Sequence, residues 1–251
     1  MDLALSEEQQ TLVDAFTAFF AREVPIGRVR AAEPGGFDDR LWRQAVAIGV
    51  PGMALDGAQL IDLALVCEQA GARLVPIPLV EAFVAVRALA SHAGLREEVA
   101  GGRLATVALR PAVDSRLRLV PAGAVAEIVV ALDRGRLVAQ VGPSPGGGPV
   151  NLGSAPLADR RIRPDAIVLA TGAEALDQHQ QAVSEWKVLT AAALAGLGAA
   201  ALSVGVAYVK ARHQFGAAIG SFQAVQHKLA DAATAVDGAR LLAYRAAWAV
   251  G

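Results

Sequence analysis

The chain is short of cysteine, aromatic residues and net charge, and each shortage removes a class of function. A single cysteine, Cys67, among 251 residues rules out a disulfide framework and fits a reducing cytoplasm. It falls in an apolar helical pattern, where a lone thiol packs as a small hydrophobe or, less often, reacts. Lys and Arg total 23 against 24 Asp and Glu, a formal charge of −1. Neither half of the chain is strongly basic, so a nucleic-acid partner is not expected. His92, His179, His213 and His227 are widely separated and never adopt His-Glu-x-x-His spacing, which argues against a metal site. There is no Gly-x-Ser-x-Gly elbow for serine hydrolase chemistry. The Gly-rich stretch from Gly142 to Pro149 is not followed by Gly-Lys-Ser/Thr, nor does it open a helix as Gly-x-Gly-x-x-Gly, so it reads as a loop. Met1 to Glu8 lack a basic stretch leading into an apolar one, and no signal peptide is expected.

Apolar residues are plentiful, at 54%, with aromatics at only 5%. Much of the surplus is alanine, which favours closely packed helices and suggests further surface buried in an oligomer. Val188 to Val209 carry no charge over 22 positions between Lys187 and Lys210. Length alone would nominate a membrane span. Ala and Gly gain little from hydrocarbon, however, and Thr190 and Ser203 interrupt the run, so a helix packed within protein is expected instead.

The apolar period divides the chain into three. Ser6 and Gln9 form a capping-box pattern ahead of Leu12, Val13, Phe16, Phe19 and Phe20 at helical spacing. Pro25 and Pro34-Gly35-Gly36 break that pattern. Further helices are expected from Asp38 or Asp39 to Gly49, from Gln59 to a stop at Gly71, and from Leu79 to Ala93 with Gly94 as the stop. Short Val- and Leu-rich runs follow at 103–110, 116–120, 127–132, 136–141 and 166–170, with Asp133-Arg134-Gly135 as a tight connection. The helical period then returns over 173–212 and 221–250. The expected organisation is an N-terminal helical domain over 1–101, a middle β domain over 102–172 and a C-terminal helical domain over 173–251.

The connection between the last two helices concentrates the chemistry. Arg212 stands at a helix end, Phe215-Gly216 and Gly220 surround Ile219, and Ser221, Phe222 and Gln223 open the next helix. An Arg fork beside an aromatic suits a ligand that carries a diphosphate and a planar ring. Spacing alone fits better a corner filled by Phe215 and Ile219, with Arg212 as a solvated C-terminal cation.

This stretch resembles the acyl-CoA dehydrogenase superfamily, whose corner reads Arg-x-x-Phe-Gly-x-x-Ile-x-x-Phe-Gln-x-x-Gln-His-x-Leu-Ala-Asp. Here it runs from Arg212 to Asp231 with all of those positions present. The helical, β, helical order and the opening Leu5-Ser6-Glu7-Glu8-Gln9 are similar too. The resemblance implies an α+β fold with a middle β-barrel-like domain and a shortened C-terminal helical bundle. It implies FAD as cofactor, with Arg212, Phe215 and Gln223 as its ligands and Gln214 a weaker candidate, often serving a neighbouring subunit. The implied reaction introduces a Cα–Cβ double bond into an acyl-CoA thioester, and electron-transfer flavoprotein is the implied acceptor. Its base must be a carboxylate left unpaired in a desolvated pocket. Glu185 stands where one branch of the family places that base; otherwise it is an acid near a helix N-terminus, favoured there by the helix dipole. Trp186 occupies a position where such enzymes commonly carry Arg.

The β domain has neither the Thr-Glu-Pro-x-x-Gly-Ser-Asp nor the Asn-Gly-x-Lys segment of the family. Met53 to Ala58 replace a longer Gly-rich loop, and two C-terminal helices stand where the family has four or more. These departures resemble the partner subunits of actinobacterial heteromeric acyl-CoA dehydrogenases, which act on bulky thioesters such as steroid side chains. They imply a homo- or hetero-oligomer, and a non-catalytic scaffold for a catalytic partner is the alternative reading.

Overall fold

The computed structural model describes residues 5–55 and 57–250, so Asp56 of the short Met53 to Ala58 connection lies outside the described residues. Helix α1 (Glu7–Glu23) begins on the expected box: Gln9 N donates to Ser6 Oγ at 3.2 Å and Ser6 N donates to Gln9 Oε1 at 3.1 Å. Phe16, Phe19 and Phe20 form an edge-packed aromatic cluster on its inner face. Helix α3 (Asp39–Ala47) is capped by Asp38, whose side chain accepts from Leu41 N at 2.8 Å. Between these two lies a helix absent from the sequence expectation, α2 (Ile26–Ala32), started by Pro25 as N-cap. It has no buried residue and so no strong apolar period to betray it. A 3₁₀ turn over Pro51–Ala54 follows α3.

Helices α4 (Leu60–Ala72) and α5 (Leu79–Ala88) form the buried centre of the N-terminal region. Gly71 does not stop α4, as expected from sequence; it lies inside the helix. A Cβ there would meet the Ala193 carbonyl oxygen at 1.9 Å. The glycine is needed for close helix approach. Gly94 likewise falls within a separate helix, α6 (Ala93–Ala100), which starts after α5 has already ended and is capped by His92 Nδ1 on Leu95 N.

Strands β1 (Ala105–Val107), β3 (Ile128–Asp133), β4 (Arg136–Val141) and β6 (Ile167–Thr171) make a four-stranded sheet in the order β1-β3-β4-β6. β3 and β4 pair from Ile128↔Val141 to Asp133↔Arg136 through a two-residue loop. Arg134 and Gly135 both have positive φ there, the conformation that matches hairpin twist. β2 (Arg116–Val120) pairs with β5 (Ala158–Arg161) in a separate ribbon. β5 is absent from the sequence expectation, because Ala-Asp-Arg-Arg carries little strand propensity. It is held by its partner and by Arg160, which donates to the carbonyls of Gly123 and Ala126. Every residue of β3 is buried. Ile128, Val130 and Leu132 face the main helical core, and Val129 and Ala131 face a smaller cluster with Leu117, Val120 and Ile162.

Helix α7 (Gly172–Ala211) runs for 40 residues and packs on α4, α5 and α8 (Gln223–Val250). Among the described residues it is the one helix long and apolar enough to cross a membrane, yet it crosses α4 through backbone-close glycine contacts. Only 28% of its most apolar window is buried by this chain. Leu194, Val204 and Tyr208 on α7, with Leu242 and Trp248 on α8, remain exposed.

Candidate functional site

The residues selected from the sequence fall in two places. The first is the corner after α7. Arg212 caps that helix, and the expected bend is a miniature hairpin: β7 (His213–Gln214) pairs with β8 (Ala217–Ala218). Its two-residue turn is Phe215-Gly216, with φ of 53° and 79°. Positive φ costs glycine nothing but is strained for a bulky aromatic residue. Among the described residues only Phe222 meets the ring, edge-on with centroids 6.3 Å apart, and Phe215 is 95% exposed. Arg212, Gln214 and Gln223 are also exposed. Among the described residues no carboxylate pairs with the Arg212 guanidinium. The turn itself is fixed by Ile219 N donating to Arg212 O at 2.8 Å, Ser221 Oγ donating to Ala218 O at 2.7 Å and Gln226 Nε2 donating to Gly220 O at 3.0 Å. The corner thus leaves a guanidinium, two amides and a strained aromatic ring exposed. The set fits a diphosphate and a planar ring.

The second place is the contact between α5 and α7. Glu185 is buried at 2% exposure and lines a cavity of about 520 Å³ between α5, α6, α7 and the turn after α3. The unpaired state required of a base is not what is found. Arg87 donates to both carboxylate oxygens, Nε to Oε2 at 2.9 Å and Nη2 to Oε1 at 3.0 Å, and Gln181 Nε2 adds a third bond at 3.0 Å. Such a fork neutralises the carboxylate and fixes it to α5. One helical step away, Trp186 Nε1 donates to Glu81 Oε1 at 3.1 Å. Burial pushes the Glu81 carboxyl upward from the ordinary carboxylate range, against a smaller downward pull from the Trp186 bond. Neither Arg87 nor Glu81 is among the residues selected from the sequence. Glu81 does carry a signal there, as a lone acid within Leu79-Val80-Glu81-Ala82-Phe83-Val84.

The remaining candidates resolve into packing. Burial raises the pKa of the Cys67 thiol and keeps it protonated, and His179 is buried with Nε2 2.8 Å from Ala108 O. Among the described residues no cluster of His, Cys, Asp and Glu could hold a metal ion.

The two places lie on one helix but far apart. Twenty-seven residues separate Glu185 from Arg212, which at about 1.5 Å rise per residue is roughly 40 Å. Groups bound at Arg212 and at Glu185 would therefore lie far apart on this chain.

Comparison with known proteins places this geometry in a family. The acyl-CoA dehydrogenase C-terminal domain matches residues 176–251. The acyl-CoA dehydrogenase IpdE2 of Mycolicibacterium smegmatis is 32% identical over 256 aligned residues, covering 96% of this chain and 76% of the relative. This chain belongs to the acyl-CoA dehydrogenase family. A steroid acyl-CoA dehydrogenase, the Tcur3481-Tcur3483 G363A variant, superposes with a TM-score of 0.80 at 26% identity, covering 97% of this chain and 78% of that one. The ChsE4-ChsE5 complex of Mycobacterium tuberculosis has the same fold, with a TM-score of 0.83 at 23% identity over 99% of this chain and 79% of that one. The α+β family fold expected from the corner motif is therefore the fold observed.

Proposed function

We propose that this chain is a subunit of a cytoplasmic, heteromeric, FAD-dependent acyl-CoA dehydrogenase and that its corner serves a flavin site completed by another chain. The observation that carries the reading is the corner itself: Arg212, Gln214, Phe215 and Gln223 all face away from the chain that holds them, about 40 Å from Glu185 by the rise of α7. A flavin held partly by Arg212 must therefore find its other contacts on a second subunit. The exposed apolar face of α7 and α8 offers that subunit a surface. Two of the similar structures, Tcur3481-Tcur3483 and ChsE4-ChsE5, are pairs of chains, which supports the same assembly.

FAD, when bound, would supply the acceptor for the hydride from Cβ, with a carboxylate of the assembly needed to take the α proton. Arg212 would hold the diphosphate, Phe215 would pack on the ring system, and Gln214 and Gln223 would donate to nearby oxygens. Electron-transfer flavoprotein is the proposed acceptor of the electrons. Glu185, clamped by Arg87, joins α5 to α7 in the resting chain, so the base is assigned to the partner. A second reading keeps Glu185 as base, favoured by its place on the wall of the 520 Å³ cavity, and requires Arg87 to withdraw.

The test is flavin retention. The chain, purified alone and together with a second acyl-CoA dehydrogenase chain from the same organism, is mixed with FAD and freed of excess. Visible flavin absorbance is expected in the complex and absent from the single chain. Arg212→Ala should lower the retained flavin at least tenfold, about 1.4 kcal/mol or more, within the range of charged hydrogen bonds. Flavin held by the chain alone, or retention untouched by that substitution, would sink the shared-site reading.

A further inference from the structure

Among the described residues, four charged side chains line the 520 Å³ cavity between α5, α6, α7 and the turn after α3: Arg87, Arg96, Asp177 and Glu185. Arg87 and Glu185 cancel, since their fork engages both carboxylate oxygens. The other two are left over. Among those residues neither Arg96 on α6 nor Asp177 on α7 enters an ion pair, with each other or with any other group. Asp177 is exposed, where water can meet it. Arg96 is different, because its Nε is out of reach of solvent and has no hydrogen-bond partner. A buried N–H left unmet costs stability, and such groups in folded chains call for a partner.

The kind of partner follows from the geometry of a guanidinium. Its side-on fork bonds a carboxylate through Nε and one Nη together. Arg87 grips Glu185 by that edge, through Nε and Nη2, and it is on that edge that Arg96 Nε has no partner. The neutral groups of the wall complete the pattern. Gln178 Nε2 donates to Glu174 Oε1 at 3.0 Å and Gln181 Nε2 donates to Glu185 Oε1 at 3.0 Å. Each amide spends its donor on a carboxylate and keeps an oxygen to accept. Asp177, Gln178 and Gln181 therefore set acceptors along one stretch of α7, while Arg96 sets a cationic donor on α6. The complement of that wall carries a carboxylate at one end and a donor, best a cation, at the other. A phosphate dianion suits it less, because two carboxylates already stand in the wall.

We propose that this cavity binds a small zwitterion, an amino acid in the broad sense, with its carboxylate on Arg96 and its ammonium against Asp177 and the two amide oxygens. The two ends contribute unequally. Arg96 presents a partly desolvated fork, and a site built to bond one group discriminates strongly against the analogue lacking it. Asp177 lies in water, where an ion pair adds little. The assignment rests on α6 and α7 and needs neither a flavin nor Glu185 as a base.

The experiment titrates the purified full chain by calorimetry with 4-aminobutyrate, 5-aminovalerate and 6-aminohexanoate, at about pH 7 where both ends are ionised. Each is compared with the alkyl carboxylate and the alkyl amine of equal length. The amino acid whose span fits is expected to bind at least about tenfold more tightly than its amine, which forgoes Arg96. Over its carboxylate the gain should be only a few-fold. Arg96→Met keeps the apolar stem and should lower the affinity by about tenfold or more. Arg96→Lys keeps the charge without the fork and should fall between. Asp177→Asn should remove the advantage over the carboxylate. Arg96→Met should also unfold in urea no earlier than the parent, because the buried Nε has no bond to lose. Asp56 lies in sequence between the lining residues Leu55 and Gly57 and is the control for a carboxylate of the chain's own. Asp56→Asn should leave the affinity unchanged. Binding of none of the amino acids, an amine as tight as its amino acid, or affinity untouched by Arg96→Met would overturn the proposal. So would a large gain in affinity in Asp56→Asn, or a chain destabilised by Arg96→Met. No flavin or partner is involved, so failure here leaves the shared-flavin reading standing, and failure of flavin retention leaves this one standing.

Discussion

Gly196→Ala is expected to destabilise the chain by about 3 kcal/mol or more, the upper end of overpacking costs, although it adds a single methyl group. The new Cβ would sit 2.0 Å from the carbonyl oxygen of Glu68 and 3.1 Å from the backbone nitrogen of Ala72. Those atoms belong to α4, so no side chain can rotate away, and relief requires the two helices to separate. The partner position, Gly71, has the mirror problem with the Ala193 carbonyl oxygen at 1.9 Å. The crossing of α4 with α7 thus depends on a glycine from each helix. Separation would also disturb Tyr244, which donates from α8 to Glu68 on α4. Gly238→Ala on α8 is the control, since its Cβ would meet nothing within 4 Å. There the gain in helix propensity should stabilise the isolated chain by up to about 1 kcal/mol. Urea unfolding of both variants checks the opposite signs. If Gly196→Ala proved as stable as the parent, the close crossing would be wrong.

These glycines also mark the boundary of what can be read from the chain. Signals carried by neighbouring residues are legible: the Ser6–Gln9 box, the Asp38 cap and the Arg134-Gly135 hairpin all appear where their local chemistry requires. Gly71 misleads because it serves a contact with Ala193, far away in sequence, and only the partner's position distinguishes packing from termination; Gly94 misleads because it lies in the first turn of the next helix, where a Cβ would meet only His92. β5 and α2 escape because their stability comes from what they pair with or flank, with little in their own apolar pattern. The corner motif is legible as a pattern, but its conformation is not. The spacing gives only a connection between two helices, whereas Phe215 sits at positive φ in a two-residue turn and is exposed. Glu185 stands out for a role that demands an unpaired carboxylate, and its guanidinium partner lies 98 residues away. No local pattern could reveal that pairing.

Removing the guanidinium is expected to have the second large effect. Arg87→Met leaves Glu185 buried with Gln181 as its remaining hydrogen-bond partner among the described residues, and an uncompensated buried charge typically costs about 3–5 kcal/mol. The loss should come mostly from the stranded carboxylate. Replacing both partners, Arg87→Met with Glu185→Leu, should therefore recover most of it, because a well-packed apolar pair is often as stable as the buried ion pair it replaces. Urea midpoints of the single and double variants provide the measurement, with a coupling energy of several kcal/mol expected between the two sites. A double variant no more stable than Arg87→Met alone would show that Glu185 is not a strut. Glu185→Gln in the flavin-bearing complex then divides the catalytic readings. The amide keeps the shape and gives up the charge and the basicity. Loss of a general base slows a reaction by about 10²–10⁴-fold, whereas loss of a strut lowers stability and leaves turnover per bound flavin near the parent value. The bidentate Arg87 clamp favours the second outcome, because both carboxylate oxygens of Glu185 are already engaged in hydrogen bonds to the guanidinium.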